Sequence, residues 1–408
     1  MTARLRPGPL NGMRVLDLSH VMAGPVCGLM LADMGADVIK IEKLPGGDDT
    51  RRMRPPVIAG EPASFMMMNR NKRGFALNLK SDKGRAVLER MVKDADVLLE
   101  NYRHDTLARL GVGYERLRQI NPGLIYATIS GFGRSGPFAN QGGFDLVAQG
   151  MSGLMAITGE GPGRPPVKVG APVTDITAGI LGAMGVAAAY AHKLKTGEGQ
   201  HVDTSLFEAG IVHTYWQSAI CFATGQSPGP LGSAHPLSAP YQAFETSDGW
   251  INLGCSSERT WQKFLDVLGD AAIAADPRFK TNEDRMAHLD ELVAALAPHF
   301  KARSTEDWLA ALDAGGVPAG PVLSIHDMHE HPQTQARDMV PTVSHPVAGN
   351  VQTIGLPVKF SGSPGAVTDP APRLGEHTRE VLAEFGYATS EVDALIDAGA
   401  VGDLTSSD

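Results

Sequence analysis

The chain has 408 residues, 43% of them hydrophobic and 20% charged, and carries a formal net charge of −9. That size can bury a large core and divides naturally into two domains, and the acidic balance excludes a nucleic-acid binder and a protein drawn to anionic membranes. The three cysteines, Cys27, Cys221 and Cys255, stand far apart and without metal-ligand spacing, which predicts free thiols in a reducing, cytoplasmic setting and no metal site.

Arg4 and Arg6 precede no apolar stretch, so no signal or transit peptide is expected. Residues 14–18 predict a buried strand, Gly24-Pro25 opens a helix running to about Gly35, and residues 37–42 predict a second buried strand, together a βαβ unit. In the turn Ser19-His20-Val21-Met22-Ala23-Gly24-Pro25, Pro25 suits a first helical position and Gly24 permits close backbone approach, so the turn suits a phosphate-bearing ligand. Glu42 closes the second strand where a dinucleotide site has its acidic residue. Gly24 and Gly28, however, lack the spacing of the G-x-G-x-x-G fingerprint, which leaves an NAD(P)-dependent dehydrogenase as the second reading. Strands near 96–100 and 124–130, with helices near 81–94 and 114–121, predict an α/β fold whose parallel sheet is covered on both faces. Two basic runs, Arg51, Arg52, Arg54 and Arg70, Lys72, Arg73, read either as solvated surface or as attractors of a polyanion.

From Ile176 to Tyr190 no side chain is strongly ionisable, which predicts a helix buried nearly all round and too short to span a bilayer. Asp175 stands at its mouth with two readings. It is an N-cap favoured by the helix dipole, or a carboxylate kept ionised in a partly dry place, as a carboxylate nucleophile requires. Asp145, after Phe144, reads as a cap for the helix from Leu146 onward. Residues 197–200 form a turn into 201–203, and an apolar helix then runs to about Thr224. Residues 225–240, dense in Gly, Pro and Ser, read as a linker from a large domain over 1–224 to a small domain over 225–330. That domain is expected to hold a hairpin over 243–255 turning at Asp248-Gly249 and helices near 258–268, 284–301 and 305–314. Residues 331–408 return to the large domain and close with helices near 377–385 and 390–398.

Residues 19–25, 31–42, 46–51, 69–73, 100–102, 131–137, 143–145, 172–179, 316–322 and 374–378, in this order and spacing, resemble the class III CoA-transferases. This is the carnitine dehydratase and bile-acid-inducible family, of the formyl-CoA transferase type. The resemblance implies a Rossmann-like large domain, a smaller α+β domain, and an interlocked homodimer. It implies that Asp175 attacks an acyl-CoA thioester, giving an aspartyl-acyl anhydride and then an aspartyl-CoA thioester. Contacts to CoA carry over to His20, Val21, Met22 and Ala23, to Lys43, to Leu77, Asn78, Leu79 and Lys80, to Asn101, Tyr102 and Arg103, and to Arg109. They extend to Phe144 and Asp145, where Asp145 orients the pantetheine or the catalytic Asp. Gly232-Ser233-Ala234-His235 aligns with a mobile glycine loop that offers backbone donors to an oxyanion, or is a surface turn before Pro240-Tyr241. CoA and acyl-CoA are then substrates, with no tightly bound cofactor. The partner substrate is a small carboxylic acid, a short dicarboxylate such as succinate. The family's racemases have His where Phe144 stands; Phe144 cannot move a proton, which disfavours a 2-methylacyl-CoA racemase. A non-catalytic CoA-binding protein, with Asp175 only a cap, stays open.

Overall fold

Arg14–Asp17 (β1), Ala23–Asp33 (α1) and Asp37–Lys43 (β2) form the expected βαβ unit in the computed structural model, which describes residues 4–404. The chain continues through Arg73–Leu77 (β3), Asp82–Val92 (α2), Val97–Glu100 (β4), Tyr114–Ile120 (α3), Ile125–Ser130 (β5), Asp145–Met151 (α4), Val173–Thr196 (α5), His201–Ser205 (β6) and Leu206–Ile211 (α6). The sheet runs in the order Val401–Gly402, β3, β2, β1, β4, β5, β6. All pairings are parallel except that of Val401–Gly402 with β3. The strand order reverses between β1 and β4, and the carboxyl ends of these two strands bound the crevice where such sheets take ligands.

Both faces of the sheet are dry along its inner strands, which is why β1, β4 and β5 are nearly continuous apolar runs, whereas the edge strand β6 is partly exposed. Leu16 and Leu98 pack with Val87, Leu88 and Leu117 on one face, while Val15 and Val97 pack with Cys27, Leu31, Ala183 and Val186 on the other.

Strand β3 was not foreseen, because the charges before it read as surface. Those charges are inside. Arg70 pairs with Asp33 at 2.6 Å, Lys72 with Asp17 at 2.9 Å and Arg73 with Asp37 at 2.8 Å, all buried. This run is therefore neither solvated surface nor a polyanion patch; an isolated buried charge would be too costly, and each has an acid from a neighbouring element. Arg51, from the other run, forks onto the buried Glu42 at 2.7 and 2.8 Å and lies over the Phe65 ring.

Helix α5 is longer than the apolar stretch predicted. By length and composition it could cross a membrane, yet here one face packs on α1, β5 and β6. It is not buried all round: Ile180 is 46% and Met184 63% exposed. A run without charges meant only that nothing on that face seeks water.

The chain forms two compact units, one comprising residues up to Ser152, Val169–His213 and Pro332 onward, the other Gly153–Lys168 and Thr214–His331. This division starts the second unit at Thr214 rather than at 225 and adds a segment, 153–168, that composition did not mark. Inside the second unit, Tyr241–Glu245, Trp250–Gly254 and Ala319–Pro321 form an antiparallel sheet with Trp250–Gly254 in the middle. Helices Glu258–Leu268, Leu289–Lys301 and Thr305–Ala314 enclose a core of Phe244, Trp261, Phe264, Phe300 and Trp308. The helix expected over 284–301 is two helices, Asn282–Ala287 and Leu289–Lys301, because the chain leaves helical geometry at His288, with φ −122° and ψ 39°.

Candidate functional site

β1 ends at Asp17, and the chain passes through Ser19, His20, Val21 and Met22 before α1 begins at Ala23. Gly24 is required there because any side chain would strike Ser19. The helix starts without a side-chain cap, so the N–H groups of Ala23 and Gly24 have no partner within it. Such an end favours an anion. Asn101, beyond the end of β4, clamps the turn: its side chain accepts the His20 N–H at 2.7 Å and donates to the His20 carbonyl at 2.8 Å. The His20 ring lies edge-on to Tyr102, and burial, with the Lys40 charge, pushes its pKa down to about 4. Glu100 and Arg134 brace the same loop. Glu100 Oε2 accepts the Tyr102 N–H at 2.7 Å, and Arg134 donates to Glu100 Oε1 and to the Tyr102 carbonyl, both at 2.8 Å.

A cavity of about 300 Å³ brings together Lys43, Leu77, Asn78, Leu79, Lys80 and Tyr102. Lys43 is held by Asp49 at 2.7 Å. Arg103 lines a different cleft, of about 400 Å³, with Arg134 and His201. Arg109 lines neither and donates to the Thr106 hydroxyl at 3.4 Å. The structure thus gathers most of the residues singled out in the first unit at the carboxyl edge of β1, β2, β3 and β4, and leaves the two arginines to one side.

Asp175 is the third residue of α5, not its N-cap; Pro172 holds that position. The cap comes from α4. Asp145 Oδ1 accepts the Thr174 N–H at 3.0 Å and the Thr174 hydroxyl at 2.8 Å. Gln149 donates to Asp145 Oδ2 at 2.8 Å and accepts the Val169 N–H at 2.8 Å. Asp145 is the first residue of its own helix and caps nothing there, so the expected roles of the two acids are corrected: Asp145 caps the helix of Asp175. The Asp175 carboxylate is half-buried and accepts no hydrogen bond among the described residues. Burial first, and the Asp145 charge second, push its pKa up to about 6. Burial outweighs the helix dipole, so the carboxylate is ionised at neutral pH but not far below it. One turn along α5, a Cβ on Gly179 would come within 2.7 Å of the Ala23 carbonyl. That close approach sets the start of α1 beside the first turns of α5, joining the His20–Ala23 turn to the neighbourhood of Asp175.

Phe144, the N-cap of α4, is 74% exposed and offers no titrating group. The 232–235 loop lies in the second unit. Three of its four N–H groups are engaged: Gly232 donates to the Gly159 carbonyl, Ala234 to Leu231 and His235 to Tyr241. Only the Ser233 N–H remains as a donor, against the several expected of an oxyanion loop. Burial pushes the Cys27 and Cys255 thiols up, Cys255 to about 12, so neither competes as a nucleophile. Among the described residues no group of three or more His, Cys, Asp or Glu is placed to hold a metal ion.

Sequence reasoning missed Lys40, Asp48, Gln149 and Thr174. One signal was available: a lysine inside the otherwise apolar run Val38-Ile39-Lys40-Ile41 has to be paired if that strand is central.

The family model described as CoA-transferase family III matches residues 10–378. The chain is 41% identical to the succinate–glutarate CoA-transferase of Agrobacterium fabrum, over 93% of this chain and 96% of that protein. It is 39% identical to the acetyl-CoA:oxalate CoA-transferase of Acetobacter aceti, again over 93% and 96%. A solved structure of a CAIB/BAIF family protein from Brucella suis superposes with a TM-score of 0.83 at 38% identity, covering 93% of this chain and all of that one.

Proposed function

Because the chain belongs to CoA-transferase family III and is a CoA-transferase, we propose that it moves CoA from an acyl-CoA to a short dicarboxylic acid, with Asp175 as the acyl-accepting nucleophile. The observation that carries this reading is the state of Asp175: half-buried, without a hydrogen bond to its carboxylate among the described residues, its pKa near 6, and beside the uncapped start of α1. A carboxylate that spends no lone pair on a partner is a better nucleophile than one that caps a helix, and here Asp145 has taken over the capping.

In the proposed sequence, an Asp175 oxygen adds to the thioester carbonyl and the C–S bond breaks, leaving an aspartyl-acyl anhydride and CoA thiolate. The thiolate then adds to the Asp175 carbonyl carbon and expels the first acid as its carboxylate, forming an aspartyl-CoA thioester. The incoming acid repeats these two steps in reverse and leaves as the new acyl-CoA. No net proton is needed. Each addition builds charge on an oxygen, which the positive end of α1 is suited to oppose. CoA would run along the His20–Ala23 turn and into the cavity of Lys43, Leu77–Leu79 and Tyr102. The racemase alternative lacks a proton carrier at Phe144. The dehydrogenase alternative lacks a free acid, since both Glu42 oxygens are engaged by Arg51 and by the Asp48 N–H.

A homodimer belongs to the same proposal. Leu146, Val147 and Met151 on α4, Ile180 and Met184 on α5 and Ile211 on α6 are exposed on helices that pack together. Exposed apolar side chains on helices that pack together favour an interface there.

The test is mass spectrometry of acyl-CoA products from a panel of donors and acids. The reading expects CoA to pass between succinyl-CoA and a short dicarboxylate such as glutarate with 1:1 exchange. Hydrolysis alone, or no exchange with any pair, would contradict it.

A further inference from the structure

Beneath the His20–Ala23 turn lies a buried ion pair that the chemistry above does not use. Lys40, on β2, and Asp48, in the Gly46-Gly47-Asp48 bend, are both fully buried and 3.0 Å apart. Each also reaches the turn. Lys40 Nζ donates to the Ser19 carbonyl, and Asp48 accepts the Val21 N–H at 3.2 Å. Asp48 is fixed in return, accepting the Thr50 N–H at 2.9 Å and the Thr50 hydroxyl at 2.8 Å, while its own N–H donates to Glu42 at 2.9 Å.

Between these two anchors Val21 has φ +64°. For a β-branched residue that conformation is strained and persists only where its surroundings impose it. A buried ion pair is also a poor source of stability compared with an apolar pair of the same volume. Two costly features therefore meet at one turn, the one whose backbone faces the crevice between β1 and β4.

We infer that Lys40 and Asp48 are positioning residues: they hold the His20–Ala23 turn, through the strained Val21, in the one shape that receives CoA. This rests on the CoA-transferase reading and adds to it the device that preorganises the site. The Gly46-Gly47-Asp48-Asp49-Thr50 segment then acts through the turn rather than on the ligand.

The test measures CoA binding by calorimetry in wild type, Asp48→Ala, Val21→Gly and the double variant, with circular dichroism as a control for folding. If loss of Asp48 leaves the binding-competent turn a tenth of the time, the apparent Kd for CoA rises about tenfold. Glycine adopts positive φ without strain, so with Val21→Gly as the reference, which carries any direct effect of that side chain on CoA, adding Asp48→Ala raises Kd far less than tenfold and most of the affinity that depends on Asp48 is recovered. That rescue separates positioning from general damage, because a second substitution in a merely destabilised protein would not recover affinity. Equal Kd in Asp48→Ala and wild type, or no recovery in the folded double variant, overturns the inference and leaves the transferase reading intact. Absence of CoA binding by wild type overturns both. Should Asp48→Ala not fold, Asp48→Asn keeps an acceptor for Val21 but no charge for Lys40; a rise smaller than tenfold with the same rescue is expected, and the absence of either overturns the inference.

Discussion

The Asp145 carboxylate and the Thr174 backbone form the cap of the helix that carries Asp175, with Oδ1 accepting the Thr174 N–H at 3.0 Å. Asp145 thus acts on its neighbour in two ways: it frees Asp175 from capping, and its charge opposes ionisation of Asp175. Replacing it separates these effects. Asp145→Ala removes both and should cost about 1 kcal/mol of stability, as a lost cap does. Asp145→Asn keeps an acceptor for Thr174 and should melt close to wild type. Thermal melts of the two variants check this, and equal destabilisation by both would show that the capping contact carries no stability.

The pH dependence follows from the position of the Asp175 pKa, pushed up to about 6. Only the ionised carboxylate is a nucleophile, so kcat should rise with pH through about 6 and level off above it. Stability runs the other way. The folded state binds this proton more tightly than the unfolded chain, whose carboxyl keeps its ordinary value of 3.8. The contribution is therefore fully present below that value and is lost as pH rises through about 6. Asp145→Asn should move the kinetic inflection down, though not to the ordinary value, because burial remains the larger cause. A kcat profile whose inflection is unmoved by Asp145→Asn would deny the coupling.

The buried partners of the second basic run are scaffold. Lys72→Met leaves the buried Asp17 hydrogen-bonded to Ser19 and near the Lys40 charge but without its direct ion-pair partner, and should cost about 3–5 kcal/mol, while Arg54→Ala at an exposed site should stay within about 0.5 kcal/mol. Urea unfolding of both variants measures this. A Lys72→Met protein as stable as wild type but weak in CoA binding would return that run to the ligand.

Much of the first unit was legible because it is built from local signals. The apolar runs of β1, β2, β4 and β5 and the Gly24-Pro25 helix start each state their structure within a few residues. What failed to show were relations between distant residues. The charges at 70–73 look like surface until Asp17, Asp33 and Asp37 are brought against them. Asp145 and Asp175 each resemble a cap for their own helix, and only the packing of α4 on α5 reassigns them. Residues 153–168 join the second unit without any shift in composition. Asp175 was singled out as the proposed nucleophile by resemblance to a family; its raised pKa, set by burial, was not legible.

The proposed homodimer, interlocked as the family resemblance implies, predicts that light scattering will give twice the mass of one chain at every dilution under native conditions. A mass falling to that of a single folded chain on dilution would contradict the interlocked homodimer, since linked rings separate only when the fold opens.

Covalent trapping at Asp175 tests the central claim most directly. Wild type is incubated with succinyl-CoA, treated with hydroxylamine, and digested for peptide mass spectrometry, with Asp175→Asn alongside. Both the anhydride and the aspartyl-CoA thioester are open to hydroxylamine, so the account predicts a hydroxamate at Asp175 in wild type. In Asp175→Asn it predicts none, with transfer lost by several orders of magnitude and the melting temperature nearly kept. No hydroxamate at Asp175, together with substantial turnover by Asp175→Asn, would contradict it.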